Sequence, residues 1–137
     1  MKTVLIIDGQ GGRIGSALAE RILASGCPCT LLAIGANSIA TAAMTKAGVR
    51  RCATGENPVV VTAPQADVIT GPAGILAANA MMGEITPSMA LAVTQSAAQK
   101  ILVPMNRCGI QMAGVEDLPL SEYIARAADL VAAACRG

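Results

Sequence analysis

The sequence has no histidine, phenylalanine or tryptophan, and Tyr123 is its single aromatic residue. Without histidine, the chain lacks the side chain that proteins use most often for general acid–base catalysis. With one aromatic residue, it lacks the stacking surfaces of nucleic-acid-binding proteins. Ten basic and nine acidic residues leave a net charge of +1, with no sustained block of one sign. We therefore expect no nucleic acid among the partners of this protein.

Long apolar runs are also absent, although 53% of the residues are hydrophobic and the mean hydropathy is +0.56. No run reaches the roughly 18 apolar residues that a membrane-spanning helix needs. The first apolar stretch is shorter than the roughly 7–15 residues of a signal-peptide core. These absences predict a cytoplasmic protein with no membrane partner. The apolar surplus predicts a parallel sheet buried on both faces and a homo-oligomer interface.

Cysteine is present but does not form a recognisable framework. The number of cysteines is odd and their spacing is irregular, which argues against a set of disulfides. The pair Cys27 and Cys29 could be a metal or redox pair, but zinc sites normally take four ligands from Cys and His. The chain has no histidine and no second close pair of cysteines. We therefore expect no metal site and interpret all five as reduced core or loop residues: Cys27, Cys29, Cys52, Cys108 and Cys135.

Strand and helix patterns alternate along the chain without a linker, so we expect residues 1–137 to form a single domain. The patterns predict strands at 3–7, 30–34, 49–53, 67–70 and 101–103. They predict helices at 12–24, from 37 or 38 to just before 48, at 75–82, 86–99 and 119–135.

Two segments decide the details of this prediction. Residues 57–64 have strand composition but begin with Asn57-Pro58, a pair typical of helix starts. We favour a short helical turn there, because two successive strands would leave no crossover. The link that follows residues 101–103 is too short for a helix, so residues 110–115 are expected to return as an antiparallel edge strand. The predicted fold class is α/β: a Rossmann-like, doubly wound, mostly parallel sheet.

The most informative stretch is VLIIDGQGGRIGSALAE at residues 4–20, which reads as strand, glycine turn and helix. In the spacing Gly9-x-x-Gly12-x-x-Gly15, the first glycine would make the tight turn. The middle one would leave space for a pyrophosphate, and the third would let the helix lie close to the sheet. One interpretation is a nucleotide bound at the loop and the helix N-terminus. The other is a tight turn in a fold that has lost its ligand.

The stretch GQGGRIGSAL resembles the glycine loop of extended short-chain dehydrogenases, which makes NAD or NADP the first cofactors to test, although the cofactor stays unknown. Two features depart from that family. The second strand ends in Ile34-Gly35-Ala36-Asn37-Ser38, without the acid that holds the ribose. Its catalytic Tyr-x-x-x-Lys pair is also missing, since Tyr123 is followed four residues later by Ala127. Hydride transfer by that chemistry is therefore unsupported.

The predicted ligand-binding residues lie where parallel strands end, at one edge of the sheet. Asp8 would orient the glycine loop, bind a ribose or a cation, or accept backbone N–H groups of the loop. Arg13 would reach a phosphate or stay solvated, and Asn37 or Ser38 would donate to the ligand or cap a helix. The full predicted set is Asp8, Gly9, Gln10, Gly11, Gly12, Arg13, Ile14, Gly15, Gly35, Asn37, Ser38, Gly71 and Pro72.

Other polar residues at the same edge form a candidate second half of the site, or are caps and turns: Glu56, Asn79, Glu84 and Asn106. Cys108 is not expected to act as a nucleophile, because no histidine is present to activate it.

Five stretches together resemble a family of small bacterial proteins that is catalogued as a domain of unknown function: IDGQGGRIG, GANSIATAAMTKAG, ATGEN, ADVITGPAGILAANAMMGEITPSMA and KILVPMNRCGIQMAGV. The resemblance covers nearly the whole chain. It implies a compact Rossmann-like protein and carries no established activity. It implies that the following residues match the family's motif positions, without a role for any of them: Gly9, Gly12, Gly15, Asn37, Thr54, Gly55, Glu56, Asn57, Gly71, Pro72, Asn79, Gly83, Glu84 and Asn106.

The sequence thus predicts a nucleotide- or dinucleotide-binding protein of NAD(P)-like type, with the phosphate held by the loop at residues 9–15. One alternative is a structural or regulatory homo-oligomer with a vestigial site. Another is an enzyme that acts on a small phosphorylated metabolite, with Glu56 or Glu84 as acid or base. No catalytic residue is assigned, and whether the protein is an enzyme stays open.

Overall fold

A computed structural model describes residues 1–105 and 110–137 as an α/β protein. The strands are β1 (Lys2–Asp8), β2 (Cys29–Gly35), β3 (Arg51–Thr54), β4 (Val68–Pro72) and β5 (Gln99–Val103). The helices are α1 (Arg13–Ser25), α2 (Ser38–Lys46), α3 (Glu56–Thr62), α4 (Pro87–Gln95) and α5 (Leu120–Arg136). Within the described residues, no helix has the length and hydropathy that a membrane span requires.

The five strands form one sheet in the order β3-β2-β1-β4-β5, and every neighbouring pair is parallel. The central strand explains why its sequence is apolar throughout. Val4 and Ile6 pack into the core beneath α1, α2 and α5, whereas Leu5 and Ile7 pack into the core beneath α3 and α4. Alternate residues of a strand point to opposite faces, so a sheet covered on both sides needs apolar residues at every position.

The helix boundaries follow from local signals in the sequence. Gly12 precedes α1 and Gly26 follows it, and both adopt the left-handed backbone conformation. Asn37 caps α2, because its side-chain oxygen accepts a hydrogen bond of 2.9 Å from the N–H of Ala40. Residues 57–64 are helical, as expected: α3 covers most of them and a 3-10 turn, Ala63–Gln65, follows.

The predicted antiparallel edge strand at residues 110–115 is wrong. The sheet is all-parallel, and β5 is one of its two edge strands. In place of a strand, the N–H of Val115 bonds to the carbonyl of Met112 across a turn that contains Gly114 with φ +86°. Ile110 and Met112 are both exposed, so this segment has no buried face that would hold it against β5.

Two helix predictions also need correction. Residues 75–82 do not form a helix: a 3-10 turn, Ala73–Leu76, gives way to a reversal in which Asn79, Met81 and Met82 have positive φ. Such φ values are incompatible with a right-handed helix. The helix predicted to reach residue 99 ends at Gln95. The Ser96 hydroxyl donates to the carbonyl of Ala63 and accepts from the N–H of Ala98, which holds the chain extended.

Thr70, in β4, is fully buried, and its hydroxyl has no hydrogen-bond partner within the described residues. An unsatisfied buried polar group costs about 1–3 kcal/mol. Thr70→Val keeps the shape of the side chain and removes the hydroxyl. We expect the free energy of unfolding, measured by urea denaturation, to rise by about 1 kcal/mol. A decrease would show that the hydroxyl has an acceptor in solution.

Candidate functional site

A cleft of about 530 Å³ opens at the carboxyl ends of the strands. It lies where β1 and β4 run side by side, the point at which the strand order reverses. The chain leaves β1 towards α1 on one face and leaves β4 towards Ile75 on the other face. Parallel sheets bind ligands in the crevice that such a divergence creates. The volume lies within the range of about 300–1,000 Å³ typical of small-molecule sites.

The glycine loop after β1 forms one wall of this cleft. Its lining residues run from Asp8 to Ile14 without a break. The opposite side is formed by residues from four further parts of the chain: Pro72, Met81, Pro104, Met105 and Leu120. The sequence predicted the first wall and Pro72, but not the other four residues. Pro104 and Met105 follow β5 directly, so the rule of strand ends could have found them. Nothing in the sequence pointed to Leu120, at the start of α5.

Asp8 holds the glycine loop together from within. It is only 4% exposed, and its two carboxylate oxygens accept the N–H groups of Gly9 and Gly15 at 2.8 and 2.7 Å. Burial raises the pKa of Asp8 above its usual value, and the nearby Glu84 carboxylate also raises it, whereas the backbone hydrogen bonds lower it. Of the roles considered for Asp8, the acceptor of loop amides is therefore the one that this geometry shows.

A second carboxylate holds the outer part of the loop. Glu84 Oε1 accepts the backbone N–H of Gln10 at 2.8 Å and the side-chain amide of Asn37 at 2.9 Å. The same Asn37 amide donates to the carbonyl of Gln10 at 3.0 Å. Gln10 has φ +49°, an uncommon conformation for a residue other than glycine. The contacts with Glu84 and Asn37 stabilise this conformation, so both residues position the loop.

The glycines of the motif differ in what surrounds them. A Cβ on Gly12 would lie 2.8 Å from the backbone of Ala40 in α2. A Cβ on Gly15 would lie 2.9 Å from Asp8 Cβ. These two glycines therefore permit close packing of the loop and α1. A Cβ on Gly11 would meet nothing nearer than Arg13 Cγ at 3.9 Å, so Gly11 faces the open side of the loop.

Arg13 and Gly11 carry hydrogen-bond donors that have no acceptor in the part of the chain that the structure describes. Arg13 is exposed and lines the cleft, and its side chain makes no hydrogen bond or ion pair in the part of the chain that the structure describes. As the first residue of α1, it has a backbone N–H without an acceptor inside the helix. The N–H of Gly11 also has no bonded acceptor within residues 1–105 and 110–137. Together these groups form a cationic, donor-rich corner of the cleft.

Five of the thirteen predicted ligand-binding residues do not line the cleft: Gly15, Gly35, Asn37, Ser38 and Gly71. Gly35 is buried against Thr41 of α2, and Gly71 is buried against the carbonyl of Ile7. Ser38 is the exposed first residue of α2. The three glycines pack closely against their neighbours, and Asn37 caps α2.

The candidate second half of the site is dispersed. Glu56 Oε1 accepts the hydroxyl of Thr86 at 2.5 Å, away from the cleft, and Thr86 in turn caps α4. Asn79 is exposed and lies in the reversal after the 3-10 turn. Asn106 and Cys108 lie outside the described residues.

The fold and the cleft define a class: an α/β protein with a five-stranded parallel sheet and a glycine loop at the point where strand order reverses. A family profile described as "Domain of unknown function (DUF3842)" matches residues 3–136. The chain therefore belongs to this family, which confirms the whole-chain resemblance. A search of curated proteins finds no match.

Two solved structures are distantly similar to the chain. AibC aligns with a TM-score of 0.48 at 15% identity, covering 98% of this chain and 39% of AibC. The chain thus spans about two-fifths of the length of that protein. A dodecameric FMN-dependent UbiX-like decarboxylase from Escherichia coli O157:H7 aligns with a TM-score of 0.46 at 14% identity, covering 93% of this chain and 75% of the decarboxylase.

Proposed function

We propose that this protein is Rossmann-like and binds a nucleotide or a small phosphorylated molecule in the cleft between β1 and β4. The strand order 3-2-1-4-5 is that of dinucleotide-binding sheets, which place pyrophosphate at the first strand-to-helix turn. The observation that carries the proposal is the cationic corner: Gly11 and Arg13 line a cleft of about 530 Å³, and neither backbone N–H has a bonded acceptor in the part of the chain that the structure describes. Such donors at a helix N-terminus favour an anion.

The two carboxylates decide where the phosphate would lie. Asp8 and Glu84 already accept the N–H groups of Gly9, Gln10 and Gly15, so these amides are not open to a ligand. An ionised Asp8 would also repel a phosphate at the base of the cleft. We therefore place the phosphate at the outer side of the loop, against Gly11 and Arg13.

The nucleotide itself stays unassigned, with NAD and NADP the first to test. The end of β2 has no acidic residue that would bind a ribose. The side chain of Asn37 is not available to a ligand, because its oxygen caps α2 and its amide donates to Gln10 and Glu84. Selectivity for the sugar or base would then come from the apolar side of the cleft, from Met81, Met105 and Leu120.

The structure gives less support to an enzyme that uses Glu56 or Glu84 as acid or base, because neither carboxylate lines the cleft. The homo-oligomer stays a prediction. It is supported by several large apolar side chains at the surface, among them Met82, which is 100% exposed. Light scattering after gel filtration would measure the subunit number.

The proposal predicts that Arg13→Glu weakens the binding of a phosphorylated ligand. Because the chain has no tryptophan, thermal shift with an external dye is the first assay, with NAD, NADP, ATP, GTP, S-adenosylmethionine and flavin. A ligand at about 100 times its Kd should stabilise the wild type by about 2.7 kcal/mol. A hydrogen bond to a charged group is worth about 1.5–3 kcal/mol. We therefore expect Arg13→Glu to weaken binding at least about tenfold.

The matched control is Arg21→Glu, which makes the same charge change on an exposed residue of α1 that does not line the cleft. It should bind as the wild type does. Equal loss of affinity in both variants would point to a general charge effect and would contradict the assignment of Arg13. A wild type that binds none of the six compounds would favour either the homo-oligomer without a ligand site or a small phosphorylated ligand outside this set.

A further inference from the structure

Three cysteines meet at the end of the molecule opposite the cleft. Cys27 follows α1, Cys29 is the first residue of β2, and Cys135 lies in the last turn of α5. Their three sulfur atoms all lie within 4.8 Å of one another. Cys27 and Cys135 are 9% exposed, and Cys29 is partly exposed. We call these three residues the cysteine cluster. Cys27 and Cys29 are close in the sequence, whereas α5 brings Cys135 to them from the far end of the chain.

The spacing of the sulfur atoms suits a single bound metal ion. Zinc–sulfur bonds are about 2.3 Å long, so two thiolates on one tetrahedral or trigonal ion lie roughly 3.8–4.0 Å apart. Sulfurs within 4.8 Å of one another would therefore need to move by less than about 1 Å each. Thiolate sulfur selects soft ions such as Cu(I) and Zn(II) over the hard ions that prefer oxygen.

The fold holds the three sulfur atoms of the cluster together, because they come from separate parts of the chain that meet there, and Cys27 and Cys135 are nearly buried. Two basic side chains also lie near: Lys2 donates to the carbonyl of Ala134 at 2.6 Å, and Arg136 donates to the carbonyl of Ser25 at 3.1 Å. They would offset the negative charge of three thiolates around one ion.

We propose that Cys27, Cys29 and Cys135 form a three-thiolate site for a soft d10 cation. Three S–H protons pass to solvent as three sulfur–metal bonds form, without any change of oxidation state. The donor set within the described residues holds three sulfurs and no carboxylate, so it is complete for three-coordinate Cu(I). Zn(II) would need a fourth ligand, which water could supply beside the partly exposed Cys29.

The test is a metal titration of the full, reduced chain in a Cys108→Ser background, in which four thiols remain. Cd(II), a d10 ion with thiolate absorption in the ultraviolet, reports the binding of one equivalent. Competition with chromogenic chelators for Cu(I) and for Zn(II) then distinguishes the two ions. Loss of an outer-shell partner alone weakens metal sites by about 10–100-fold. We therefore expect Cys29→Ser and Cys135→Ser to lose affinity by about 100-fold or more.

Cys52→Ser is the matched control, since Cys52 is a free cysteine outside the cluster, and it should bind metal as the background does. Cys29→Ser keeps the test valid even if Cys135→Ser fails to fold, because Cys29 is partly exposed. Circular dichroism of each variant checks the fold. Absence of stoichiometric binding, or unchanged affinity in Cys29→Ser, would overturn the proposal. So would a cluster that readily forms a disulfide but binds no metal under reducing conditions.

Discussion

Replacing Gly71 by alanine should cost about 3–5 kcal/mol of unfolding free energy, because it combines overpacking with backbone strain. Gly71 lies in β4 with φ +152°, a conformation that side chains other than glycine's rarely adopt. Its missing Cβ would overlap the carbonyl oxygen of Ile7 in the central strand. Relief would require β1 and β4 to separate at the middle of the sheet. Urea denaturation followed by far-ultraviolet circular dichroism measures the loss.

Gly74→Ala is the control for this prediction, because it adds the same methyl group three residues later. There the nearest atom would be Met81 Cε at 3.4 Å, an ordinary contact at the end of a flexible side chain, and φ is not positive. We expect a change within about 0.5 kcal/mol. If Gly71→Ala unfolded at the same urea concentration as the wild type, the close approach of the two strands would be disproved.

Removal of the Asp8 carboxylate should also lower the free energy of unfolding strongly. Asp8→Ala leaves the buried N–H groups of Gly9 and Gly15 without their acceptor, and each unsatisfied group costs about 1–3 kcal/mol. We expect the free energy of unfolding to fall by about 2 kcal/mol or more at neutral pH. This net value allows for the partial gain from no longer burying a charge. Asp67→Ala is the control: Asp67 also accepts one backbone N–H, from Thr3 at 2.7 Å, but it is exposed. The free energy of unfolding should fall clearly less in Asp67→Ala than in Asp8→Ala.

The pH dependence of Asp8 has a definite sign. Its folded pKa is raised above 3.8, mainly by burial, so the folded state holds the proton more tightly than the unfolded state. The proton-linked part of the contribution of Asp8 to stability is therefore fully present below pH 3.8 and is lost as pH rises through the raised folded pKa, whereas its hydrogen bonds to the N–H groups of Gly9 and Gly15 remain at neutral pH. The side-chain amide of Asp8→Asn does not titrate in this pH range. The stability advantage of the wild type over Asp8→Asn should shrink as pH rises, and an advantage that grows with pH would contradict the pKa direction.

Much of the fold was predictable from the sequence because its signals are local. The apolar run of β1, the glycine turn and α1 occupy neighbouring positions, and the structure has all three in place. The helix at Asn57-Pro58 was also predicted, since a capping residue followed by proline acts within one turn. The errors fall where local signals are short. Residues 110–115 were expected to form a strand because the link before them is too short for a helix, but they have no buried face. Residues 75–82 have helical composition, but the chain reverses there with three positive φ values.

The candidate site divides in the same way. The cleft wall from Asp8 to Ile14 was predicted, since a strand followed by a glycine turn and a helix always places that turn at the sheet edge. The role of Glu84 could not be predicted, because it reaches Gln10 from 74 positions away. Met81 and Leu120 line the cleft only because a reversal and a helix N-terminus happen to face the loop.

By itself, the sequence determined an α/β chain with a buried first strand and a glycine loop at its end, because hydrophobic period and turn chemistry act between near neighbours. The tertiary structure alone decided which groups meet. It buried Asp8 under its own loop, placed Glu84 and Asn37 against Gln10, and left Arg13 open to the cleft. It also brought Cys135 to Cys27 and Cys29. Contacts between distant segments depend on how helices pack across the sheet, and no local pattern in the sequence encodes that packing.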